Sequence, residues 1–508
     1  MGEREEQVIG ADQVADDVVG DIDNSRLQAL AFAGMAWSLF RQWGVRFISI
    51  IVFTVLARTL TPDHFGLVAL ASVFVGFLDI PLRVSLGDAL VQRAELRVQQ
   101  LDSAFWGLLG VSLILTFCMV AASPLLADAV GNRSVALVVA VLALGLPLTA
   151  MSVVPEAILR RQMEFKRLAV RKVSGDSSAG AAGVGLALAG AGVWSLVVKL
   201  LVSDVVEVVL AFRAVSWRPR FRFSWSELRE IAVYGTWSTI NSSVGFISRN
   251  ADNLVIGAVL GAEALGYYSI AFQMLTIVVL LVTDTIESTA MSTFSRLQHD
   301  RARVGRGFAL GVRACTLALV VASVVTVSLA PSIVARWFGE QWLPSSDIIR
   351  VLILGGLLAP ITSLAMTVLK SMGRPDLAVR LALARSVIGV TGFVIGAQFG
   401  VIWVAFAQVV TLVMIIPLYL RAVHRLCEVA WRPLVRSVVT FLVAGVFSGA
   451  LAVVVAGRSS EPVPELWRLA VAVAASLSVM AVMVAVFARG EVNEVLELVR
   501  RQRGRVAA

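Results

Sequence analysis

Residues 248–257 read SRNADNLVIG, which sets one arginine, one aspartate and two asparagines between apolar stretches. The fold turns on whether this is a loop or a polar patch inside a membrane helix. Of the 508 residues, 58% are apolar and only 16% charged, and the mean hydropathy is +0.84. Soluble domains need more charge than that to cover their surfaces. A helix crosses the hydrocarbon core with about 20 apolar residues, and about fourteen such runs are predicted here. They lie at 34–58, 64–86, 102–124, 135–158, 172–190, 193–213, 232–259, 265–294, 308–331, 345–369, 378–398, 401–421, 434–456 and 466–488. SRNADNLVIG falls within the seventh, so its polar residues are expected at membrane depth.

The net charge of +9 is not spread as a nucleic-acid surface would be. Basic residues crowd into alternate loops, including Arg160, Arg161, Lys166, Arg167, Arg171 and Lys172 in one and Arg213, Arg218, Arg220, Arg222 and Arg229 in another. The opposite loops hold little beyond Arg58, Arg133, Arg336, Arg458 and Arg468. The positive-inside rule then puts both termini in the cytoplasm, as an acidic tail (1–30) and a basic tail (491–508). The acidic tail lacks the features of a signal peptide. Its Asp21 and Asp23 form a D-x-D without a supporting fold, and are read as part of a solvated tail. Cys118, Cys315 and Cys427 are isolated, and His64, His299 and His424 have no cysteine or histidine cluster around them. Neither a metal nor another cofactor is expected.

Thr61-Pro62-Asp63 reads as a helix start. Ser224 and Glu227 form a potential capping box after RPRFRFSW, so 216–231 is expected to be an interfacial amphipathic linker with a short helix before the seventh span. Trp217, Trp225, Trp337, Trp342, Trp431 and Trp467 lie near span ends, where an aromatic belt would put them. Small residues at 175–192 (GDSSAGAAGVGLALAGAG) predict close helix packing. A shift of 200 residues aligns Trp37-Ser38 with Trp237-Ser238, Val55 with Val255, Leu60 with Leu260, Gly66 with Gly266 and Ala71 with Ala271. The turn and both helices stay in phase without a gap, and an even number of spans separates the copies. The repeat is therefore parallel. The expected fold is an all-α integral membrane protein of two six-helix lobes, 31–215 and 232–425, followed by a helix pair at 426–490.

At 100° per residue, Ser238, Asn241, Ser242, Gly245, Arg249, Asp252 and Asn253 share one face of the seventh span. The repeat places Ser38, Arg41, Gln42 and Ser49 on the equivalent face of the first, with Arg46 at its border. Charge at membrane depth costs at least about 2.5–3.5 kcal/mol per residue, so it should meet a cavity or a partner. Snorkelling to the interface is the other reading for the arginines, and a structural salt bridge to Arg249 is the other for Asp252. Asp79 and Arg83 flank Pro81 in the second span; Gln273, Asp284 and Glu287 share a face of the eighth. Asp79, Asp284 and Glu287 are candidate coupling residues for a proton or cation. Lys199, Asp204 and Glu207 in the sixth span read best as a self-neutralising structural cluster. No Ser/His/Asp, H-E-x-x-H or Walker pattern is present, which favours a transporter over an enzyme.

FGLVALASVFVGFLD, GDALVQRAEL with DSAFW, AILRRQMEFKRLA, GVWSLV, WRPRFRFSWSELREI, SRNADNLVIGAVLGAEALGYYSIAF and FSRLQHD together resemble the bacterial polysaccharide and O-antigen flippases. These belong to the lipopolysaccharide-biosynthesis branch of the multidrug/oligosaccharidyl-lipid/polysaccharide exporter superfamily. The resemblance implies two lobes around a central cavity in the bacterial inner (plasma) membrane, and export of an undecaprenyl-diphosphate-linked oligosaccharide to the outer leaflet. It implies that cavity arginines receive the diphosphate, a role that Arg41, Arg46 and Arg249 match by position. Implied partners are membrane lipids and the polymerase and glycosyltransferases of the same glycan, with no nucleic acid. The sequence departs from relatives near Asp284 and Ser288. A cation-coupled multidrug antiporter of the same superfamily, a non-transporting scaffold and a membrane enzyme of polysaccharide assembly remain the alternatives.

Overall fold

The computed structural model describes residues 8–9, 48–92 and 96–458, together with Ala474, Ser478 and Ala481. The chain divides into two compact units, Met1–Gly266 and Tyr267–Ala508. In chain order the helices are α1 (Ile48–Thr59), α2 (Pro62–Ser85), α3 (Gly87–Gln92), α4 (Val98–Val130), α5 (Ser134–Leu142), α6 (Gly145–Arg161), α7 (Phe165–Leu188) and α8 (Trp194–Ala214). They continue with α9 (Trp225–Val259), α10 (Gly261–Arg296), α11 (Arg301–Ile333), α12 (Pro344–Ser371), α13 (Pro375–Ala397), α14 (Val401–Cys427) and α15 (Trp431–Arg458). The second to thirteenth expected spans fall on helices, with α5 and α6 sharing the fourth, and the first is described, as helix, only from Ile48. The last lies outside the described residues apart from three positions. A two-residue antiparallel pairing, Val8 with Arg97 and Ile9 with Leu96, joins part of the acidic tail to the start of α4.

Among the described residues, eight helical segments are long and apolar enough to cross a membrane. Helices α7, α8 and α9 are not among them, because they carry the ionisable and small polar residues that the first unit concentrates. Those helices are held by close packing. A Cβ on Gly175 would lie 2.9 Å from Cγ of Glu207, one on Gly183 3.0 Å from Cβ of Lys199, and one on Gly180 2.4 Å from a Val52 methyl. The small-residue stretch of α7 thus packs α8 on one side and α1 on another, as small residues do in lipid. Leu82, Leu90, Phe105, Leu108, Leu146 and Val154 form the apolar core beside it.

A tighter contact occurs where α2 and α10 begin. A Cβ on Gly66 would sit 1.7 Å from the Ala262 carbonyl oxygen, and one on Gly266 2.0 Å from the Pro62 carbonyl oxygen. Under the 200-residue shift Pro62 corresponds to Ala262 and Gly66 to Gly266, so these are one contact with its roles exchanged. That reciprocity is the signature of a twofold relation between the copies. It supports the parallel repeat better than the few identities do. Gly261, with φ +88°, makes the turn that starts α10, a conformation that L side chains other than glycine rarely adopt.

Helix starts fall where the sequence places them, but their caps differ. Thr61 and Ser224 occupy N-cap positions without a side-chain cap hydrogen bond. Ser224 Oγ instead meets Ser226 Oγ at 2.8 Å, and Glu227 accepts Gln100 Nε2 at 2.8 Å. The short interfacial helix expected before the seventh span is not separate, since α9 runs unbroken from Trp225 to Val259. Its approach is pinned to α4: Trp106 stacks on Phe221 at 4.7 Å, Asp102 accepts the Arg220 N–H at 3.2 Å, and Ser103 accepts the Ser224 N–H at 3.0 Å.

The second unit has its own core. Phe294, Phe308, Cys315, Leu364, Tyr419 and Cys427 pack together, and Cys427 ends α14 as a buried residue. Backbone approaches backbone at Gly396, whose Cβ would lie 2.8 Å from the Trp403 carbonyl oxygen. Trp342, expected in the aromatic belt, is fully buried and sits edge-on to Tyr267 at 6.2 Å. Trp225, Trp337 and Trp431 are exposed, as a belt requires; Trp467 lies outside the described residues.

Candidate functional site

SRNADNLVIG is helical throughout, and its polar side chains have different fates. Ser248 Oγ donates to the Val244 carbonyl at 2.7 Å and Asn250 Nδ2 to the Phe246 carbonyl at 2.9 Å. Both therefore satisfy themselves on the preceding turn, as short polar side chains do inside helices. Asp252 is buried and accepts the Asn253 N–H at 2.9 Å. Arg249 is exposed and turns back along the helix, with Nη1 3.2 Å from where a Cβ on Gly245 would lie. The guanidinium is thus directed toward the helix start, while Asp252 lies three residues toward its end. Arg249 makes no ion pair among the described residues. The glycine at 245 leaves the room in which it lies.

Ser242 and Asn253 are half-buried on the same helix. Ser38, Arg41, Gln42 and Arg46 lie outside the described residues, as do the side chains of Ser238, Asn241 and Asp284. In the second unit Gln273 is exposed and Glu287 half-buried.

The first unit assembles a larger charged network than the sequence suggests. Arg83 pairs with Asp79 and donates from Nη2 to Thr149 Oγ1 at 3.0 Å. Glu156 accepts Arg160 at 2.5 Å and Arg171 at 2.6 Å. Lys172 Nζ lies 2.8 Å from Glu207 and 3.3 Å from Asp176, and Arg171 is 3.6 Å from Glu207. A pocket of about 90 Å³ lies between Arg83 and the Glu156–Arg160 pair. Of the expected trio only Glu207 is ion-paired among the described residues. Lys199 and Asp204 face a cavity of about 210 Å³ with Ser49, Lys172, Asp176 and Ser203.

Glu156, Arg171, Lys172 and Asp176 join the network without standing out in sequence. Arg171 and Lys172 read as loop cations because the fifth span was expected to start at 172; α7 starts at Phe165 and carries both inside. The i, i+4 spacing of Glu156 with Arg160 and of Lys172 with Asp176 was the available signal. Asp79, Glu156, Asp176, Asp204 and Glu207 face Arg83, Arg160, Arg171, Lys172 and Lys199, so the network is charge-balanced. Balance and pairing are what make burial of such groups tolerable.

The second unit holds an apolar groove of about 610 Å³ between α12, α14 and α15, lined by Leu358, Pro417, Leu434 and Val438 among others. Arg421, His424 and Trp431 line it near the α14–α15 connection. Among the described residues no group of three or more histidines, cysteines or carboxylates is placed to hold a metal.

Stacked apolar helices, polar groups satisfied inside them and glycine-mediated packing define a multi-pass helical membrane protein. Residues 55–347 match the polysaccharide biosynthesis protein family, and the chain belongs to it. It is 28% identical over 385 residues to the succinoglycan biosynthesis transport protein ExoT of Rhizobium meliloti (strain 1021), covering 75% of this chain and 78% of the relative. It is 25% identical over 348 residues to the teichuronic acid biosynthesis protein TuaB of Bacillus subtilis (strain 168), covering 68% and 72%. The structure matches that of a lipid II flippase, MurJ, in an inward closed conformation, with a TM-score of 0.74 over 90% of this chain and 100% of that one. At 13% identity that likeness establishes the fold.

Proposed function

We propose that the protein moves an undecaprenyl-diphosphate-linked oligosaccharide from the cytoplasmic to the outer leaflet of a bacterial plasma membrane, by alternating access of two lobes. It acts without a reaction of its own, alongside the polymerase and glycosyltransferases of the same glycan. Family membership beside relatives named for succinoglycan and teichuronic acid biosynthesis supports this substrate class. The observation that supports the reading in this chain is Arg249, exposed on α9 within the expected seventh span and ion-paired with no described residue. A guanidinium binds phosphate oxygens in bidentate fashion, and a glycan needs polar partners for its hydroxyls. The apolar groove of the second unit offers hydrocarbon-like surface for a lipid tail. An inside-negative potential favours outward movement of the anion by about 2.3 kcal/mol per charge per 100 mV.

The test is reconstitution in vesicles with a labelled lipid-linked oligosaccharide, comparing wild type with Arg41→Ala, Arg46→Ala and Arg249→Ala. Slower translocation with normal insertion is expected. Unchanged translocation in all three would remove the diphosphate assignment.

A further inference from the structure

An open groove of about 480 Å³ lies between the start of α7 and the end of α8 in the first unit. Lys166, Arg167, Arg171 and Arg213 line it against a single carboxylate, Glu164. At some other helix ends a cation is matched more closely: Arg303 lies 3.0 Å from Asp300, and Arg350 2.9 Å from Asp347. Arg374 lies 3.0 Å from Asp376, whose hydrogen bond holds the guanidinium above its ordinary range. In the groove, Arg167 reaches Glu164 only at 3.6 Å and gives Nη1 to the Ala214 carbonyl at 2.8 Å. Arg213 makes no ion pair among the described residues.

Arg171 supplies an independent observation. Its side chain is 8% exposed, and Nη2 is held by Glu156 at 2.6 Å. Nε and Nη1 have no hydrogen-bond partner among the described residues. A buried guanidinium with two idle donors is costly, and an anion at the groove floor would answer it. The groove walls are mixed in character. Val170 and Leu210 line it, and Met163 and Phe165, just before it, are exposed at 72% and 39%. Cations over exposed apolar surface at a membrane helix end match a phosphodiester headgroup with its acyl chains alongside.

We infer that this groove is a binding site for an anionic phospholipid headgroup of the leaflet on the side of the basic loops, separate from the transported substrate. The inference rests on the membrane reading of the chain and not on the identity of the glycan. It is tested on the purified full-length protein in detergent, by native mass spectrometry with titrated dioleoylphosphatidylglycerol, dioleoylphosphatidylcholine and inorganic pyrophosphate. Wild type should retain phosphatidylglycerol over phosphatidylcholine, and Arg167→Gln with Arg213→Gln should weaken it about thirtyfold, taking the contribution of each surface cation as roughly 1 kcal/mol. Arg303→Gln with Arg350→Gln should leave binding unchanged. If the double variant unfolds, Arg213→Gln alone carries the test, with a loss of about fivefold. Equal binding of the two lipids, or equal affinity in wild type and the groove variants, overturns the site. Pyrophosphate binding as tightly as the lipid, with the same Arg213 dependence, overturns the lipid as its occupant.

Discussion

Where α2 meets the start of α10, Gly66 and Gly266 let backbone touch backbone. Where α7 meets α6 and α8, Glu156, Arg171, Lys172 and Glu207 join the helices through charge. Both seams lie in the first unit, and both bring helices close in a setting where apolar burial gives no preference for protein over lipid. They fail in different ways. At the glycine seam the obstacle is a carbonyl oxygen, which no rotamer change can move. At the charged seam the geometry tolerates a change of shape better than the loss of one partner, because a buried charge left alone keeps its desolvation cost.

The largest effect is therefore expected at the glycine seam. Gly66→Val should exceed the about 1–3 kcal/mol typical of overpacking, because backbone must shift, and should appear as loss of folded protein or a large drop in thermal midpoint. Gly66→Ala and Gly266→Ala sharpen the point. The contacts are reciprocal, so once the seam is forced open by one methyl the second should add less than its own single cost. A double-mutant cycle measures this coupling; strictly additive losses would contradict a single twofold seam.

At the charged seam Glu207→Ala should cost about 1.5–3 kcal/mol, the worth of a hydrogen bond to a charged group, since Lys172 is itself 41% exposed and Arg171 keeps Glu156. Glu207→Gln with Lys172→Met removes both charges at similar volume and should recover part of that loss in chemical denaturation of the detergent-solubilised protein. If the double variant is no more stable than Glu207→Ala, charge burial is not what governs this seam.

Much of this was legible in sequence, for reasons particular to each region. Runs of about 20 apolar residues fix spans, and they located every described span from Ile48 to Arg458. SRNADN was legible as helix through its phase, yet not in its partners: period alone puts Ser248 and Arg249 on a map but not their side-chain directions. The charged network was half legible. Lys199, Asp204 and Glu207 stand out within an apolar run, whereas Arg171 and Lys172 sit where loop and helix have the same composition. Gly66 and Gly266 stand in sequence as a repeated pair, but a weak identity carries no distance. Trp342 departs from the belt expectation because proximity to a span end does not distinguish belt from core.

Arg249 stands outside both seams and should respond differently from either. Exposed and without an ion pair among the described residues, it should give Arg249→Gln a thermal midpoint close to wild type. Transport of a lipid-linked glycan should fall roughly ten- to hundredfold, from the about 1.5–3 kcal/mol of a hydrogen bond to a charged group. A variant that loses stability in step with transport would place Arg249 among the structural charges.

The smallest effect is expected for Arg350→Gln. Arg350 pairs with Asp347 at 2.9 Å, a distance as good as that of Lys172 with Glu207, but the two side chains are 38% and 59% exposed. Solvent and salt screen such a pair, and exposed pairs contribute about 0.2–1 kcal/mol. Stability of Arg350→Gln should thus lie within about 1 kcal/mol of wild type, and the difference should vanish at high salt. More of the Glu207 loss should persist there, because its carboxylate is 12% exposed against 59% for Asp347, and partly buried pairs are screened less. Equal salt sensitivity of the two variants would mean that distance, and not burial, sets the strength of these pairs, and the contrast between the charged seam and the surface would collapse.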